Sequence, residues 1–160
     1  MRKILPIILL TFFALVSACQ PITLPSGSQS NGTVVQQSVV TPVAGGQFNK
    51  LFPKTDGDFT LVYTQEKVGF AEAKLNNKGN EAATLAISDT ATNPSAAEKY
   101  KTAAQKIGGY PAVAVGDNGT AILVANRFQV QIRSKDSSFA ASDREAWLTK
   151  FDLAGLAALK

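Results

Sequence analysis

The clearest structural signal in this chain lies in residues 127–133, which read Arg127-Phe128-Gln129-Val130-Gln131-Ile132-Arg133. Large apolar side chains alternate strictly with polar ones. Because successive side chains of a β-strand point to opposite faces, this pattern predicts a strand with one dry face and one wet face. One solvated face is typical of antiparallel sheets. The stretch therefore predicts an antiparallel sheet that is covered on one side.

Further strand patterns precede this stretch. Residues 110–115 and 120–125 are apolar on both faces, so we expect them at the centre of the sheet. The turn Gly116-Asp117-Asn118-Gly119 between them suits a hairpin. Three earlier segments also have strand character and are separated by turn signals. They are residues 59–64, 68–75 and 82–88.

Two segments have helical spacing instead. Asn93-Pro94 suits a helix start, apolar residues follow at helical intervals as far as Ile107, and Gly108-Gly109 suits a helix end. A second helix carries Trp147 and Phe151 on one apolar face, which predicts that both are buried. Asp152 is expected to cap a last helical turn after it.

Together these segments predict an α+β domain over residues 47–160. We expect a single antiparallel sheet in the order βββα–βββα, with the helices packed on one face. A domain of this length can bury one small hydrophobic core.

A different composition marks residues 20–46. This segment has no charged and no aromatic residue and is rich in Ser, Gln, Thr, Pro and Gly. It cannot bury enough apolar surface to offset the cost of ordering the chain, which predicts a flexible tether. One part of it, residues 33–40, has strand-like composition and could add an edge strand to the domain.

The N-terminus has the pattern of an export signal. Arg2 and Lys3 precede an apolar run from Ile4 to Val16, and small residues follow. The ending Leu15-Val16-Ser17-Ala18-Cys19 resembles the lipobox of bacterial lipoprotein precursors. The resemblance implies that residues 1–18 are a signal peptide that is cleaved off, and that Cys19 is lipid-modified.

That resemblance also implies a location. The mature chain, 19–160, would be held to a membrane through lipid on Cys19, outside the cytoplasm, in the cell envelope. If the host has an outer membrane, we expect the protein there; otherwise we expect it on the outer face of the plasma membrane. Two or more acyl chains are needed for such an anchor to hold stably.

The net charge of the chain does not indicate nucleic-acid binding. The full chain has 16 Lys and Arg residues against 12 Asp and Glu. Arg2 and Lys3 leave with the signal, so the mature chain carries 14 against 12, and no run of basic residues remains. Nucleic-acid binding needs a concentrated basic patch. For the same reason the sequence does not predict attraction to anionic lipid.

The residue types also exclude several chemistries. The chain has no histidine, and Cys19 is its single cysteine. With Cys19 acylated, no imidazole or thiol is left for a nucleophilic triad, a His or Cys zinc site, or Cys-ligated iron–sulfur clusters. We therefore expect no cofactor and no metal, and we assign no catalytic residue. Asp56-Gly57-Asp58 lacks the further ligands of a calcium loop and predicts a turn.

Carboxylates are the remaining source of catalysis. A glycosidase-like pair would have to come from Glu66, Glu72, Glu81 and Glu98, but their spacing does not indicate a fixed separation across a cleft. We interpret them as solvated surface residues. A small carboxylate-based hydrolase stays open as an alternative, as does a carrier of a hydrophobic ligand.

The residues that we single out for binding are the polar side of the first stretch. Strict alternation is expected to place Arg127, Gln129, Gln131 and Arg133 on one flat face. Arginine favours interfaces because its planar group pairs bidentately and stacks on rings. We interpret the protein as a binding module rather than an enzyme, with an envelope protein, a polymer or a small ligand as partner. Its oligomeric state is open.

Overall fold

The structure is a computed structural model that describes residues 40–55 and 57–160. The predicted signal peptide, Cys19 and the tether as far as residue 39 lie outside these residues, as does Asp56 of the predicted turn. Within the described part, no helix is both long and apolar enough to cross a membrane.

Seven strands of the described chain form one sheet, and every neighbouring pair is antiparallel. The predicted single antiparallel sheet is thus confirmed. The strands are β1 (Phe59–Lys67), β2 (Phe70–Asn77), β3 (Asn80–Asp89), β4 (Gln105–Ile107), β5 (Tyr110–Ala114), β6 (Gly119–Val124) and β7 (Phe128–Ser134). Their order across the sheet is β1-β2-β3-β7-β6-β5-β4.

The alternating stretch forms β7, the central strand. Phe128, Val130 and Ile132 are buried on what we call the inner face, whereas the polar side chains between them lie on the outer face and are partly exposed. β6 is buried along its whole length, as its apolar composition predicts. β5 lies one strand from the sheet edge and is only partly buried, so its predicted central position is wrong.

Two short helices, α1 (Ala141–Leu148) and α2 (Leu153–Ala157), follow the sheet in the chain. Trp147, Leu148 and Leu156 bury their side chains in the same core as the inner face of the sheet. The expected burial of Trp147 is confirmed, at 5% exposure. Asp152 caps α2 as predicted, because its Oδ1 accepts a hydrogen bond of 2.8 Å from the Gly155 amide.

The predicted helix between residues 94 and 107 is wrong. Pro94–Tyr100 forms 3-10 turns, and the chain then becomes β4, which pairs with β5. Gly108 and Gly109 have φ angles of 59° and 86°. Two successive positive φ angles make a type I′ hairpin turn, which these glycines adopt without steric cost. The chain therefore forms three strands, then the 3-10 segment, then four strands, and then two helices. This order differs from the predicted order βββα–βββα.

The 3-10 segment Pro94–Tyr100 lies on the outer face. Tyr100 packs against Ala121 and Leu123 of β6 in a small second apolar cluster. The outer face is therefore covered over β6, whereas the outer-face side chains of β2, β3 and β7 are partly exposed.

The domain also begins earlier than the predicted boundary at residue 47. Val43 is 5% exposed and belongs to the main core, and the Gly69 amide donates a hydrogen bond of 2.7 Å to its carbonyl. Gly45 is buried against the β1–β2 hairpin. The last residues that the composition assigned to the tether are thus packed into the domain.

Candidate functional site

The predicted binding row does not stay together in the structure. Arg127 precedes β7 and directs its guanidinium to the end of β3, where Nε and Nη2 donate to the two carboxylate oxygens of Asp89 at 2.9 and 2.8 Å. Nη2 also donates to the Thr41 carbonyl at 2.9 Å. The Arg127 side chain is only 18% exposed. It therefore stabilises the domain and takes no part in an open polar surface.

Asp89 is the centre of that cluster. Its Oδ2 accepts from the Val43 amide at 2.9 Å, and its Oδ1 accepts from the Ala91 amide at 3.0 Å. Burial alone would raise the pKa of Asp89, but the hydrogen bonds from Arg127, Val43 and Ala91 outweigh burial and lower the pKa below its ordinary value of 3.8. Asp89 is therefore ionised at neutral pH.

The other three residues of the row line a groove on the outer face. Gln129, Gln131 and Arg133 form one wall, and their neighbours on β3 and β2 form the floor and the opposite wall. The volume of this groove is about 150 Å³. Its other lining residues are Thr84, Ala86 and Ser88 on β3, and Phe70 and Glu72 on β2.

The concave shape follows from side-chain size. Across the sheet, Ala86 lies between Glu72 and Gln131, and Ser88 lies between Phe70 and Gln129. Small side chains on β3 therefore separate longer ones on both sides, and they leave a channel that runs along β3. We call this channel the β3 groove.

Gln129 and Gln131 are held in place by hydrogen bonds. The Tyr100 hydroxyl donates to Gln129 Oε1 at 3.0 Å, and Gln129 Nε2 donates to Gln131 Oε1 at 3.4 Å. Burial raises the pKa of Tyr100 above its ordinary value of 10.0, so its hydroxyl remains a donor. With the hydrogen bonds running from Tyr100 to Gln129 to Gln131, the amide nitrogen of Gln131 has no acceptor among the described residues. Gln131 borders the groove.

Arg133 brings positive charge to one end of the groove. Its Nη1 lies 3.5 Å from Asn118 Oδ1, and none of the ion pairs within the described chain involves it. Burial, and then the nearby charge of Arg133, lower the pKa of Lys99 from its ordinary value of 10.5. Arg133 is the one basic residue in the lining of the groove and Glu72 on β2 is the one acidic residue, so an anionic group is favoured at the Arg133 end.

At its other end the β3 groove lies beside a second concavity of about 410 Å³. Phe70, Ser88 and Gln129 border both. The rims of the second concavity are the β1–β2 hairpin, where Val68 is 64% exposed, and the start of the 3-10 segment at Asn93. The two concavities are therefore neighbours on the outer face.

Phe70, Ala86 and Ser88 are site residues that we did not predict. The alternation in β2 and β3 was a usable signal, because it places their side chains on the face opposite the core. Which strand lies beside β7 is set by long-range pairing, and that is why the opposite wall could not be predicted from the sequence.

The glutamates of the hydrolase alternative have separate partners. Of the four, Glu72 lines the β3 groove. The shortest contacts are Asn49 to Glu66 at 2.7 Å, Thr64 to Glu72 at 2.9 Å, Lys74 to Glu81 at 2.7 Å and Lys101 to Glu98 at 2.7 Å. Asp58 of the predicted turn pairs with Lys78 at 3.4 Å.

Residues 40–55 and 57–160 contain no group of three or more Asp, Glu, His or Cys side chains that could hold a metal ion.

In comparisons with protein-family models, curated proteins and solved structures, nothing matches this chain.

Proposed function

We propose that this chain is a lipid-anchored binding module of the bacterial cell envelope, and that its domain holds an extended polar partner in the β3 groove. The anchor rests on the sequence: a charged start, an apolar run and a single cysteine directly after Val16-Ser17-Ala18. The anchored domain would act outside the cytoplasm by binding.

One observation supports the β3 groove as the binding surface. Gln131 and Arg133 border an open channel, and the Tyr100 hydroxyl, from its position over β6, fixes the orientation of the Gln129 amide and through it that of Gln131. Side chains that are already ordered lose little entropy on binding, which favours affinity.

The chemistry of the groove also indicates the kind of partner. Between Thr84 and Ser88 the channel runs for roughly 13 Å along β3. The β7 wall presents amide and guanidinium donors, and the β2 wall presents Phe70 as an apolar contact and the Glu72 carboxylate, which Thr64 contacts at 2.9 Å. These features fit an extended segment of an envelope protein or polymer that carries carboxylates.

A photo-crosslinking experiment in the host tests this function. A photoreactive residue at Gln131 should give a discrete cross-linked product, and Arg133→Glu should abolish it by placing like charge in the groove. Lys106 on β4 is exposed and distant in the sheet order, so a photoreactive residue there serves as the position control.

Lys106→Glu is the matched charge control, because it changes the net charge by the same amount. It should leave the product from Gln131 unchanged. If Arg133→Glu folds normally and leaves the cross-link intact, the groove is not the binding surface. A product of equal yield from Lys106 would also contradict the proposal.

A further inference from the structure

A second surface lies on the opposite side of the domain. Lys50, Lys54 and Lys150 surround a cleft of about 610 Å³ whose other lining residues are Phe52, Phe151 and Asp152. The three lysines are exposed. We call this surface the lysine cleft.

Main-chain contact brings the lysines together across a long separation in sequence. The Asp152 amide donates to the Leu51 carbonyl at 3.0 Å, which joins the segment after α1 to the one before β1. The Phe52 and Phe151 rings pack with their centroids 5.3 Å apart and form the apolar base. Lys50 and Lys150 thereby become neighbours, although a hundred positions separate them.

The charge of the cleft is only weakly compensated. Asp152 is the one acidic residue in its lining, and its Oδ1 accepts the Gly155 amide at 2.8 Å to cap α2. The ion pairs of the described residues are made by Lys74, Lys78, Lys101 and Arg127. Three lysines line this one concavity against a single carboxylate, which favours a partner with several negative charges.

We propose that the lysine cleft binds the phosphate groups of anionic lipid headgroups. This rests on the proposed function, because a lipid on Cys19 would keep the domain near a bilayer. The part of the predicted tether that precedes the described residues, 20–39, would have an r.m.s. reach of roughly 25 Å as a flexible chain. Within that reach binding is effectively intramolecular, so three weak contacts are enough to orient the domain.

Lipid binding at the lysine cleft would fix how the domain is oriented on the membrane. Phe52 packs edge-on against Tyr63, 5.5 Å between centroids, and Phe151 belongs to the core between the sheet and the helices. The lysine cleft therefore lies on the inner side of the sheet, and the β3 groove lies on the outer side. A domain that rests on lipid through its lysines presents the groove away from the membrane.

The first test is vesicle co-sedimentation with the mature chain in which Cys19→Ser prevents acylation. We expect binding to vesicles of equal parts phosphatidylglycerol and phosphatidylcholine, little binding to phosphatidylcholine alone, and weakening by added salt. Replacing Lys50, Lys54 and Lys150 with Gln should lower the partition coefficient about tenfold or more.

A matched triple variant separates this site from net charge. Lys106, Lys135 and Lys160 are also exposed; replacing them with Gln should change binding by less than about twofold. Equal losses in the two triple variants, or equal binding to the two kinds of vesicle, would overturn the proposal. Binding of soluble polyphosphate without binding of vesicles would overturn lipid as the source.

The single tryptophan gives a second readout. Lys150 Nζ lies 4.1 Å from the centroid of the Trp147 ring. Anionic vesicles should therefore change Trp147 emission, and the change should disappear when Lys50 and Lys54 alone are replaced. Arg133→Glu should bind vesicles like the parent chain, so failure of this test and failure of the groove proposal are distinguishable.

Discussion

Arg127 and Asp89 form a bidentate ion pair at the point where the N-terminal segment joins the sheet. The Asp89 side chain is fully buried, and Arg127 covers it with two hydrogen bonds of 2.9 and 2.8 Å. A further bond from Arg127 to the Thr41 carbonyl extends the contact to residues before the first strand. This pair connects β3, the start of β7 and the N-terminal segment.

Arg127→Met is expected to destabilise the domain strongly. The substitution leaves the Asp89 carboxylate buried without its cation, and breaking a buried pair in this way typically costs about 3–5 kcal/mol. Urea unfolding followed by Trp147 fluorescence measures the loss. Asp89→Asn in the same background should recover part of it, since it removes the uncompensated charge. A double variant as unstable as the simple sum of the two single changes would contradict a direct pairing.

The same pair predicts an acid-dependent part of the stability. The folded-state pKa of Asp89 is lowered below 3.8, so its contribution is present above that value and is lost as the pH falls through the folded pKa. The free energy of unfolding of the parent chain should therefore fall more steeply below pH 3.8 than that of Asp89→Asn. Parallel pH profiles for the two proteins would contradict this assignment.

Arg144 is expected to contribute less to stability than Arg127. It is 8% exposed, but its partners are neutral: Nε donates to Thr120 Oγ1 at 3.0 Å and Nη1 to Ser134 Oγ at 2.8 Å. Arg144→Met leaves two hydroxyls without a donor and no buried charge, so it should cost about 1–2 kcal/mol, less than Arg127→Met. Equal losses in urea unfolding would show that the charge of Arg144 is needed.

The features that were predictable from the sequence are local. Alternation through Phe128, Val130 and Ile132 defines β7 because side-chain direction depends only on the strand itself. The spacing before Gly108-Gly109 was misread because this dipeptide suits a helix end and a type I′ hairpin equally well, and pairing with β5 decided between them.

The site was less predictable because its partners are distant in sequence. Strict alternation predicts the Arg127 side chain on the outer polar face. Its guanidinium instead binds Asp89, which lies 38 positions earlier in the chain, and no local pattern indicates this pairing. The lysine cleft depends on a hydrogen bond between Leu51 and Asp152, which no local pattern indicates.

The lipid anchor is testable by replacing Cys19 with Ala. Without its thiol the chain has no site for the lipid, and no other cysteine can replace it. We expect the variant to lose labelling by palmitate and to leave the membrane fraction after a high-salt wash, which removes charge-based binding through lysines. Palmitate labelling of the variant would contradict the anchor.

Gly45 and Gly46 test where the tether ends. A Cβ on Gly45 would overlap the carbonyl oxygens of Lys67 and Phe70, which belong to the β1–β2 hairpin, whereas a Cβ on Gly46 would meet only the flexible end of Glu66, at 2.9 Å. Backbone atoms cannot move aside as a side chain can. Gly45→Ala should therefore cost about 1–3 kcal/mol by overpacking.

Gly46→Ala is the matched control for that substitution, because it makes the same change one position later. The Glu66 side chain can rotate away, so the variant should stay within about 0.5 kcal/mol of the parent chain in urea unfolding. Both glycines would respond alike if the segment before Gln47 were a free tether, as its composition alone predicts. A difference between them shows that Gly45 packs on the hairpin and that the folded domain begins upstream of it.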